Sequence, residues 1–312
     1  MHLLRLRTDV AELLLSTQGA AVLGWSLDTD TGRFPLLRPA RHDGNGAPDE
    51  TAAFPLVPYG NRVGGNTFSF AGRDYQLVPN AGDRYRLHGD GWLSDWTVEA
   101  ATDNSATVAL SHTADESAPW DYLARQLVTL DGYRLTLTLS VENTGRDTLP
   151  FGLGWHPYFP LTSRTRLTAP ASSVWLEGAD HLPTEEVPLP ANLDFRKKAP
   201  VPARWINNGF EDWNGCARID WPERGLTLTI DTDPIFSRYV VYRPDTARDP
   251  AFAGDWFCFE PMTHTVDGFH MPGMGGLTPL RPGERLEGHI RLEALALQTG
   301  YQRATGKDYP GP

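Results

Sequence analysis

One hairpin in the middle of the chain constrains the fold more than any other feature. It spans residues 127–141 and turns at Asp131-Gly132, a dipeptide that favours a two-residue hairpin loop. After the turn, Leu or Val occupies every second position from Leu135 to Val141, and Thr or Ser lies between them. This period of two buries one face of a strand and leaves the other polar. The segment therefore predicts two antiparallel strands.

Segments suited to strands recur along the rest of the chain, whereas helical periodicity is hard to find. Residues 286–294 repeat the alternation, and shorter strand-like segments lie at residues 107–111, 226–230, 238–242 and 256–260. Antiparallel strands at this density predict an all-β chain, a large antiparallel β-sandwich of two sheets packed face to face.

The 312 residues contain no internal repeat and no clear linker. We therefore expect a single sandwich domain over residues 1–299. Residues 41–50 are polar and contain Gly and Pro, which predicts a loop. Residues 300–312 lack periodicity, so a loose C-terminal tail is expected there.

The charge of the chain argues against several classes of partner. The net charge is −11, with 39 acidic and 28 basic residues, and no basic stripe is present. Nucleic acid and anionic membranes are therefore poor candidates. No stretch approaches the roughly 20 apolar residues of a membrane span, and Arg5 interrupts any signal-peptide apolar region. Cys216 and Cys258 have no metal-type spacing. These features predict a cytoplasmic protein.

Four stretches differ from ordinary strand sequence because they place polar groups among Gly, Pro and aromatic residues. They are residues 55–65, 87–92, 152–159 and 256–264. Glycine lets the backbone approach a ligand closely, and aromatic rings offer flat faces for a sugar ring. The last stretch places Glu260 at the end of an apolar strand, which is costly unless the carboxylate has a partner or a function.

Each polar residue in these stretches also has an ordinary structural interpretation. His88 and His156 suit positions bonded to backbone, Arg62 suits a surface ion pair, and Glu260 suits a strand-end acid bonded to a loop. No pair of histidines has helical metal-ligand spacing, so we expect no metal. The order of the four stretches along the chain, rather than any one of them, favours function.

In that order, the stretches resemble the aldose 1-epimerase family. The resemblance rests on Asn61-Arg62, His88-Gly89, the His-Pro-Tyr-Phe run that begins at His156, and Glu260-Pro261. It extends from about residue 36 to residue 287. It implies a β-sandwich of the galactose mutarotase-like (supersandwich) type with an open sugar cleft.

The resemblance also implies roles for individual residues. Glu260 matches the family's general base and His156 its general acid, while His88 and Arg62 match residues that orient the substrate. Further candidates for sugar contact are Asn61, Tyr158 and Trp92.

One stretch departs from the family's pattern. Where the family usually carries a loop acid that binds sugar hydroxyls, this chain has Asn207. An amide donates and accepts hydrogen bonds but adds no negative charge. Glu211 or Asp212 could compensate, and Trp213 could offer an aromatic face to the sugar. Otherwise the preferred sugar differs.

The implied reaction is mutarotation, in which the anomeric hydroxyl loses a proton while the ring oxygen gains one. We expect burial to raise the pKa of Glu260, and a neighbouring negative charge to keep His156 protonated. No hydride, electron or phosphoryl group moves, so no cofactor is expected. The partner is a small sugar, and a monomer or a weak homodimer would both fit.

Two alternatives stay open. A hexose-6-phosphate epimerase or a sulfonated-sugar mutarotase of the same superfamily would need additional basic residues at the cleft. Arg62, Arg73, Arg84 and Arg86 make that conceivable. A non-catalytic carbohydrate-binding sandwich would keep the aromatic residues and would not need the proton pair.

Overall fold

The computed structural model describes residues 1–29, 32–40 and 50–296. Within these ranges the chain forms strands and short 3₁₀ helices but no α-helix, which confirms the all-β prediction. None of the helices in these ranges has the length and apolar character needed to cross a membrane. Most of the loop predicted at residues 41–50, and the tail predicted at residues 300–312, lie outside the described residues.

The larger sheet has 11 strands, and every adjacent pair is antiparallel. In spatial order its strands are β1 (Leu3–Arg7), β2 (Ala11–Ser16), β3 (Val22–Thr29), β5 (Ala53–Leu56), β13 (Gly154–Pro160), β22 (Trp256–Met262), β21 (Arg238–Arg243), β18 (Ile206–Glu211), β15 (Ser173–Glu177) and β16 (Pro183–Pro188), and β4 (Gly32–Pro35) pairs with β3 beside this path.

The second sheet has nine strands and is also antiparallel. In spatial order they are β17 (Ala199–Pro200), β14 (Arg166–Thr168), β19 (Cys216–Trp221), β20 (Leu226–Thr232), β24 (Arg285–Ala296), β11 (Arg134–Asn143), β10 (Tyr122–Asp131), β9 (Ser105–His112) and β8 (Thr97–Ala101).

Short elements complete the described part of the chain. Two-stranded sheets pair β12 (Leu149–Phe151) with β23 (Thr278–Leu280) and β6 (Thr67–Phe70) with β7 (Arg73–Gln76). The 3₁₀ helices are Gly64–Asn66, Gly91–Leu93, Pro222–Arg224, Gly268–His270 and Pro272–Gly276.

The hairpin predicted around Asp131-Gly132 is confirmed. Strands β10 and β11 pair in register from Asp131 and Arg134 outward, and Leu135 and Leu137 are buried. These leucines belong to the same core cluster as Leu13 of the larger sheet. The two sheets therefore pack face to face, as the alternation predicts.

The alternation along β13 and β22 decides what faces the core and what faces outward. Trp155 and Phe159 of β13 lie in the core between the sheets, together with Phe259 of β22. Tyr158 and Cys258, which point the other way, belong to a second apolar cluster on the outer face of the larger sheet. The strand period of two thus directs the polar residues of the predicted site to that outer face.

Candidate active site

A cavity of about 480 Å³ opens over the outer face of the larger sheet, where β5, β13, β22, β21 and β18 lie side by side. Most of the predicted site residues line it, although they come from distant parts of the sequence. They are Asn61, Arg62, His88, His156, Tyr158, Asn207 and Glu260. Asp212 and Trp213 are the predicted site residues that do not line this cavity.

Glu260 and His156 form a buried pair at the floor of the cavity. They project from the adjacent strands β22 and β13, and Glu260 Oε1 lies 3.3 Å from His156 Nε2. The remaining polar atoms, Glu260 Oε2 and His156 Nδ1, are buried and have no hydrogen-bond partner among the described residues. Because buried polar groups are almost always paired, these two atoms point to an absent ligand or to proton transfer.

Burial drives both members of this pair towards their neutral forms. Burial raises the pKa of Glu260 to about 8, and the Arg62 guanidinium opposes that rise. Burial lowers the pKa of His156 to about 3, and Arg38 acts in the same direction. Near neutral pH the pair therefore holds one titratable proton, and it resides on the carboxyl group.

The expected rise in the pKa of Glu260 agrees with the structure, but the expectation that a negative neighbour keeps His156 protonated is wrong. The imidazole is wholly enclosed, and its desolvation outweighs the nearby carboxylate. Because Glu260 is itself neutral near pH 7, it offers His156 little negative charge.

His88 occupies the next wall and presents a single hydrogen-bond donor. Its ring Nδ1 accepts a hydrogen bond from the backbone N–H of Asn61 at 2.9 Å. The backbone N–H of His88 donates to Asn61 O, also at 2.9 Å. Burial lowers the pKa of His88 well below its usual value, so the ring is neutral. With Nδ1 an acceptor, the proton of the neutral ring resides on Nε2.

Gly89 explains why the chain can turn at this histidine. The φ angles of His88 and Gly89 are 59° and 63°. A Cβ on Gly89 would lie 2.5 Å from Pro58 Cδ and 2.7 Å from Val57 O. The His-Gly sequence is therefore needed to bring the imidazole close to the preceding loop.

The turn that carries Asn61 and Arg62 is held by a third buried histidine. His264 Nε2 accepts a hydrogen bond from the N–H of Gly60 at 2.9 Å, while Nδ1 donates to Thr265 O at 2.9 Å. Burial lowers the pKa of His264 to about 4. Both ring nitrogens are thus committed, and His264 has a structural role.

Arg62 reaches the cavity with its charge already balanced. Its Nε and Nη2 donate to Asp83 Oδ2 at 3.1 and 2.8 Å. Asp83 also lines the cavity and was not identified from the sequence. Its interaction with Arg62 joins positions 21 residues apart without a motif, so only the three-dimensional structure brings it to notice.

Aromatic rings form an apolar patch beside the pair of Glu260 and His156. Phe54 stacks on His156 with ring centroids 4.6 Å apart and on Trp92 with centroids 5.1 Å apart. Tyr158 packs against His156 at 4.9 Å. Trp92 and Tyr158, which were candidates from the sequence, line the cavity. Phe54 lines it as well but was missed, although it lies one residue before the first motif stretch.

Asn207 lies across the cavity, on β18, and its partner is a carboxylate that the sequence did not reveal. Its Nδ2 donates to Glu177 Oε1 at 2.7 Å. Trp205, which also lines the cavity, donates its indole N–H to Glu177 Oε2 at 2.6 Å. Tyr242 is a further lining residue that was missed, although the period of two places it on the same face of β21 as Val240.

The placement of Asp212 and Trp213 corrects the prediction. Asp212 follows the end of β18 with φ of 52°, is exposed, and accepts a hydrogen bond from Ser172 Oγ. Trp213 packs in the core against Phe259, and its indole N–H donates to Cys216 O. The strand ends before these residues, so the chain has turned away from the cavity.

Glu211 does not compensate for Asn207 either. It accepts hydrogen bonds from Trp175 Nε1, Thr265 Oγ1 and Arg238 Nε. Four residues along a strand correspond to about 13 Å, so Glu211 lies far from Asn207 although it shares its strand face.

Three donor atoms at the cavity floor could in principle surround a metal ion. One atom from each of His156, Cys258 and Glu260 lies within 4.8 Å of the others. The Arg38 guanidinium lies near enough to influence the pKa of both His156 and Cys258. A fixed positive charge beside the trio disfavours a bound cation, so the donor set fits a metal poorly.

Comparison with known proteins places these features in one family. The sequence model of the family described as Aldose 1-epimerase matches residues 2–293. An uncharacterized Escherichia coli K12 protein, YphB, is 44% identical over 283 residues, which is 90% of this chain and 94% of that protein. Galactose mutarotase of Bos taurus is 28% identical over 259 residues, covering 73% of this chain and 74% of the bovine enzyme.

Solved structures agree with the sequence comparison. A crystal structure from Escherichia coli K12 matches with a TM-score of 0.90 at 42% identity. The match covers 95% of this chain and 99% of that protein, whose provisional name is aldose 1-epimerase. A galactose mutarotase-like protein of Clostridium acetobutylicum matches with a TM-score of 0.78 at 19% identity and covers 94% of each chain. The latter likeness concerns the fold alone.

Proposed function

The chain belongs to the aldose 1-epimerase family, and from that premise we propose that it is a mutarotase that interconverts the α and β anomers of a free, uncharged aldose. The observation that carries the proposal is the buried pair of Glu260 and His156. These groups lie 3.3 Å apart at the floor of an open cavity, and each has a polar atom for which the described part of the chain provides no partner.

The proposed reaction uses this pair as a proton donor and acceptor. Glu260, as a carboxylate, takes the proton of the anomeric hydroxyl, and protonated His156 gives a proton to the ring oxygen. The bond between C1 and the ring oxygen breaks, and an aldehyde remains. Rotation about the C1–C2 bond turns the other face of the aldehyde to the hydroxyl, and return of both protons closes the ring as the other anomer.

The proton count of the site suits this exchange. The ionised pair (carboxylate and imidazolium) and the neutral pair (carboxylic acid and imidazole) contain the same number of protons. Ring opening therefore converts the first form into the second without proton exchange with solvent. Burial favours the neutral form, which is the form present at the aldehyde stage. The Arg62 guanidinium lowers the pKa of Glu260 and thus supports the carboxylate needed at the start.

His88 orients the sugar in this proposal. Its Nε2–H donor can bind a sugar hydroxyl or the developing aldehyde oxygen, and the ring stays neutral because burial lowers its pKa. Tyr158 and Trp92 offer apolar faces to the C–H groups of the ring.

The charge of the cavity favours a neutral sugar over a phosphorylated or sulfonated one. Among the described residues that line the cavity, Arg62 is the cationic side chain, and it is paired with Asp83. The other arginines considered for an anionic substrate do not line the cavity: Arg73, Arg84 and Arg86. The Arg38 guanidinium lies over the Tyr158 ring, 3.8 Å from its centroid, and does not line the cavity. An anionic group would therefore meet Arg62, already paired with Asp83, as the cationic side chain of the lining.

Polarimetry tests the proposal. Freshly dissolved α-D-glucose and α-D-galactose should change rotation faster with the protein than without it, and Glu260→Gln should remove the acceleration. Acceleration confined to a hexose 6-phosphate would move the assignment to the anionic substrates. Sugar binding without any acceleration would support the non-catalytic sandwich instead.

A further inference from the structure

The carboxylate of Glu177 joins three side chains at the edge of the sugar cavity. Its Oε1 accepts hydrogen bonds from Asn207 Nδ2 at 2.7 Å and from His181 Nδ1 at 2.6 Å. Its Oε2 accepts one from Trp205 Nε1 at 2.6 Å. The Glu177 side chain is only 11% exposed. Charge-assisted hydrogen bonds of this kind are shorter and stronger than neutral ones.

Glu177 lies behind the cavity wall. It is the last residue of β15, at a bulge in the pairing of β15 with β16. Asn207 and Trp205 line the cavity, whereas Glu177 borders a small adjoining cleft that Asn207 shares. Glu177 can therefore act on a bound sugar through these two neighbours.

The contact with Glu177 fixes the orientation of the Asn207 amide. A carboxylate accepts hydrogen bonds and cannot donate, so it selects the NH₂ end of the amide. The carbonyl oxygen Oδ1 then has no hydrogen-bond partner among the described residues. Asn207 therefore presents an acceptor to the cavity and suits a sugar hydroxyl that donates.

The strand register places this acceptor away from the reacting carbon. Asn207 pairs with Tyr242 of β21, and Tyr242 pairs with Cys258 of β22. Neighbouring strands lie about 4.8 Å apart, so Asn207 lies about 10 Å from the strand that carries Glu260. A sugar held at C1 by Glu260 and His156 would reach Asn207 with its far end.

Trp205 is held by the same carboxylate and packed on several sides. Its ring lies 5.5 Å from that of Tyr242, and the Arg248 guanidinium lies 4.3 Å from its centroid. With its N–H committed to Glu177, the indole keeps an apolar surface for the cavity.

We propose that Glu177 is a positioning residue that sets sugar specificity, because it holds Asn207 as an acceptor and Trp205 as an apolar wall for the end of the sugar opposite the anomeric carbon. This inference rests on the proposed function for the identity of the ligand. It assigns turnover to one wall of the cavity and discrimination between sugars to the other.

The first test replaces Glu177 by Gln. The amide keeps one acceptor oxygen and turns an NH₂ group towards a former donor, so either Asn207 or Trp205 loses its partner. We expect KM for the preferred aldose to rise about tenfold while kcat changes less than about twofold and the pH profile of kcat keeps its shape. Glu185→Gln is the matched control: it makes the same chemical change on an exposed residue of the adjoining strand β16 and should leave KM unchanged.

A second test moves the acid from position 177 to position 207 and the amide from position 207 to position 177. Asn207→Asp should raise KM at least as much, because it places a second carboxylate against Glu177. The double variant Glu177→Gln with Asn207→Asp restores one donor and one acceptor across the contact and should recover part of the lost affinity. Unchanged KM in Glu177→Gln, or additive losses in the double variant, would overturn the proposal.

Binding separates this proposal from the proposed function. In the Glu260→Gln background, calorimetry with the same aldoses measures affinity without turnover. If the wild type binds an aldose but does not accelerate mutarotation, the proposed function fails while the effect of Glu177→Gln on affinity still decides the role of Glu177. If the wild type neither binds nor turns over any aldose of the panel, both proposals fail.

Discussion

The two walls of the cavity treat their polar groups in opposite ways. On the wall formed by β13 and β22, Glu260 and His156 are buried, and each has a polar atom that no described residue pairs with. On the wall at β18, both oxygens of Glu177 are occupied, by Asn207 and by Trp205 among others. A group left unpaired inside a protein costs about 1–3 kcal/mol. The first wall therefore holds buried groups at a free-energy cost, whereas behind the second wall the carboxylate of Glu177 is already satisfied.

This difference distinguishes the wall suited to proton transfer, at β13 and β22, from the wall suited to sugar recognition, at β18. Buried groups with displaced pKa values are typical of sites that move protons. Paired groups are rigid and suited to discriminating shape and hydrogen-bond direction. Substitutions on the first wall should change kcat, and substitutions on the second should change KM.

The largest effect is expected from Glu260→Gln. The amide fills the same space but cannot accept the anomeric proton, so kcat should fall by roughly 10²–10⁴-fold. Calorimetry should show sugar affinity within a few-fold of the wild type. A normal kcat in this variant would mean that the contrast between the walls is false.

The stability of the protein should also depend on pH through Glu260. Its pKa is raised from 4.5 to about 8, so the folded state binds this proton more tightly than the unfolded state. The resulting contribution to the free energy of unfolding is complete below pH 4.5 and is lost as the pH rises to about 8. Between pH 6.5 and 9 the wild type should lose about 2 kcal/mol of unfolding free energy relative to Glu260→Gln.

Urea unfolding of both proteins at pH 6.5 and pH 9 measures this difference. His156 is neutral in the folded state throughout this window, because burial lowers its pKa to about 3. Its titration in the unfolded state is common to both proteins and cancels from the difference. If the unfolding free energies of the two proteins changed equally between pH 6.5 and pH 9, the carboxyl group of Glu260 would not be held neutral.

A smaller effect is expected at His88. Loss of its Nε2–H donor in His88→Phe should lower kcat/KM about tenfold, because one hydrogen bond to the substrate is lost while an aromatic ring still contacts Trp92. His88→Ala removes both. Equal losses in the two variants would assign the effect to the ring nitrogens, which bind the substrate and the Asn61 N–H. A loss only in His88→Ala would assign it to packing and contradict the orienting role.

The smallest effect is expected at Asp212. Asp212→Asn changes an exposed residue outside the cavity and retains a side chain that tolerates its left-handed backbone. Kinetic parameters should stay within about twofold of the wild type. A clear rise in KM would place this residue back in sugar binding and would weaken the assignment of recognition to Glu177 and Asn207.

The strands could be predicted from the sequence because they depend on local signals, whereas the proposed catalytic side of the cavity was identified through a family resemblance. Alternation from Leu135 to Val141 fixes a strand and its inward face without any distant contact. The family resemblance then supplied residues such as His156 and Glu260, which the structure brings to one cavity.

Apart from Asn207, the proposed recognition side could not be predicted, because its contacts join residues distant in sequence. Glu177 meets Asn207 and Trp205 across 30 and 28 positions, and no spacing rule links them. Closeness in sequence was misleading for Asp212 and Trp213, since β18 ends at Glu211 and the chain leaves the cavity. Tertiary burial, which has no local signature, likewise decided the pKa of His156.

The pH dependence of kcat/KM for mutarotation tests the central claim most directly, namely that turnover requires the single proton held by Glu260 and His156. After subtraction of the spontaneous rate, the wild type should be active near neutral pH and lose activity about tenfold per unit as the pH rises beyond about 8, where the buried pair loses that proton. A rate that stays level or rises to pH 9.5 would contradict the claim.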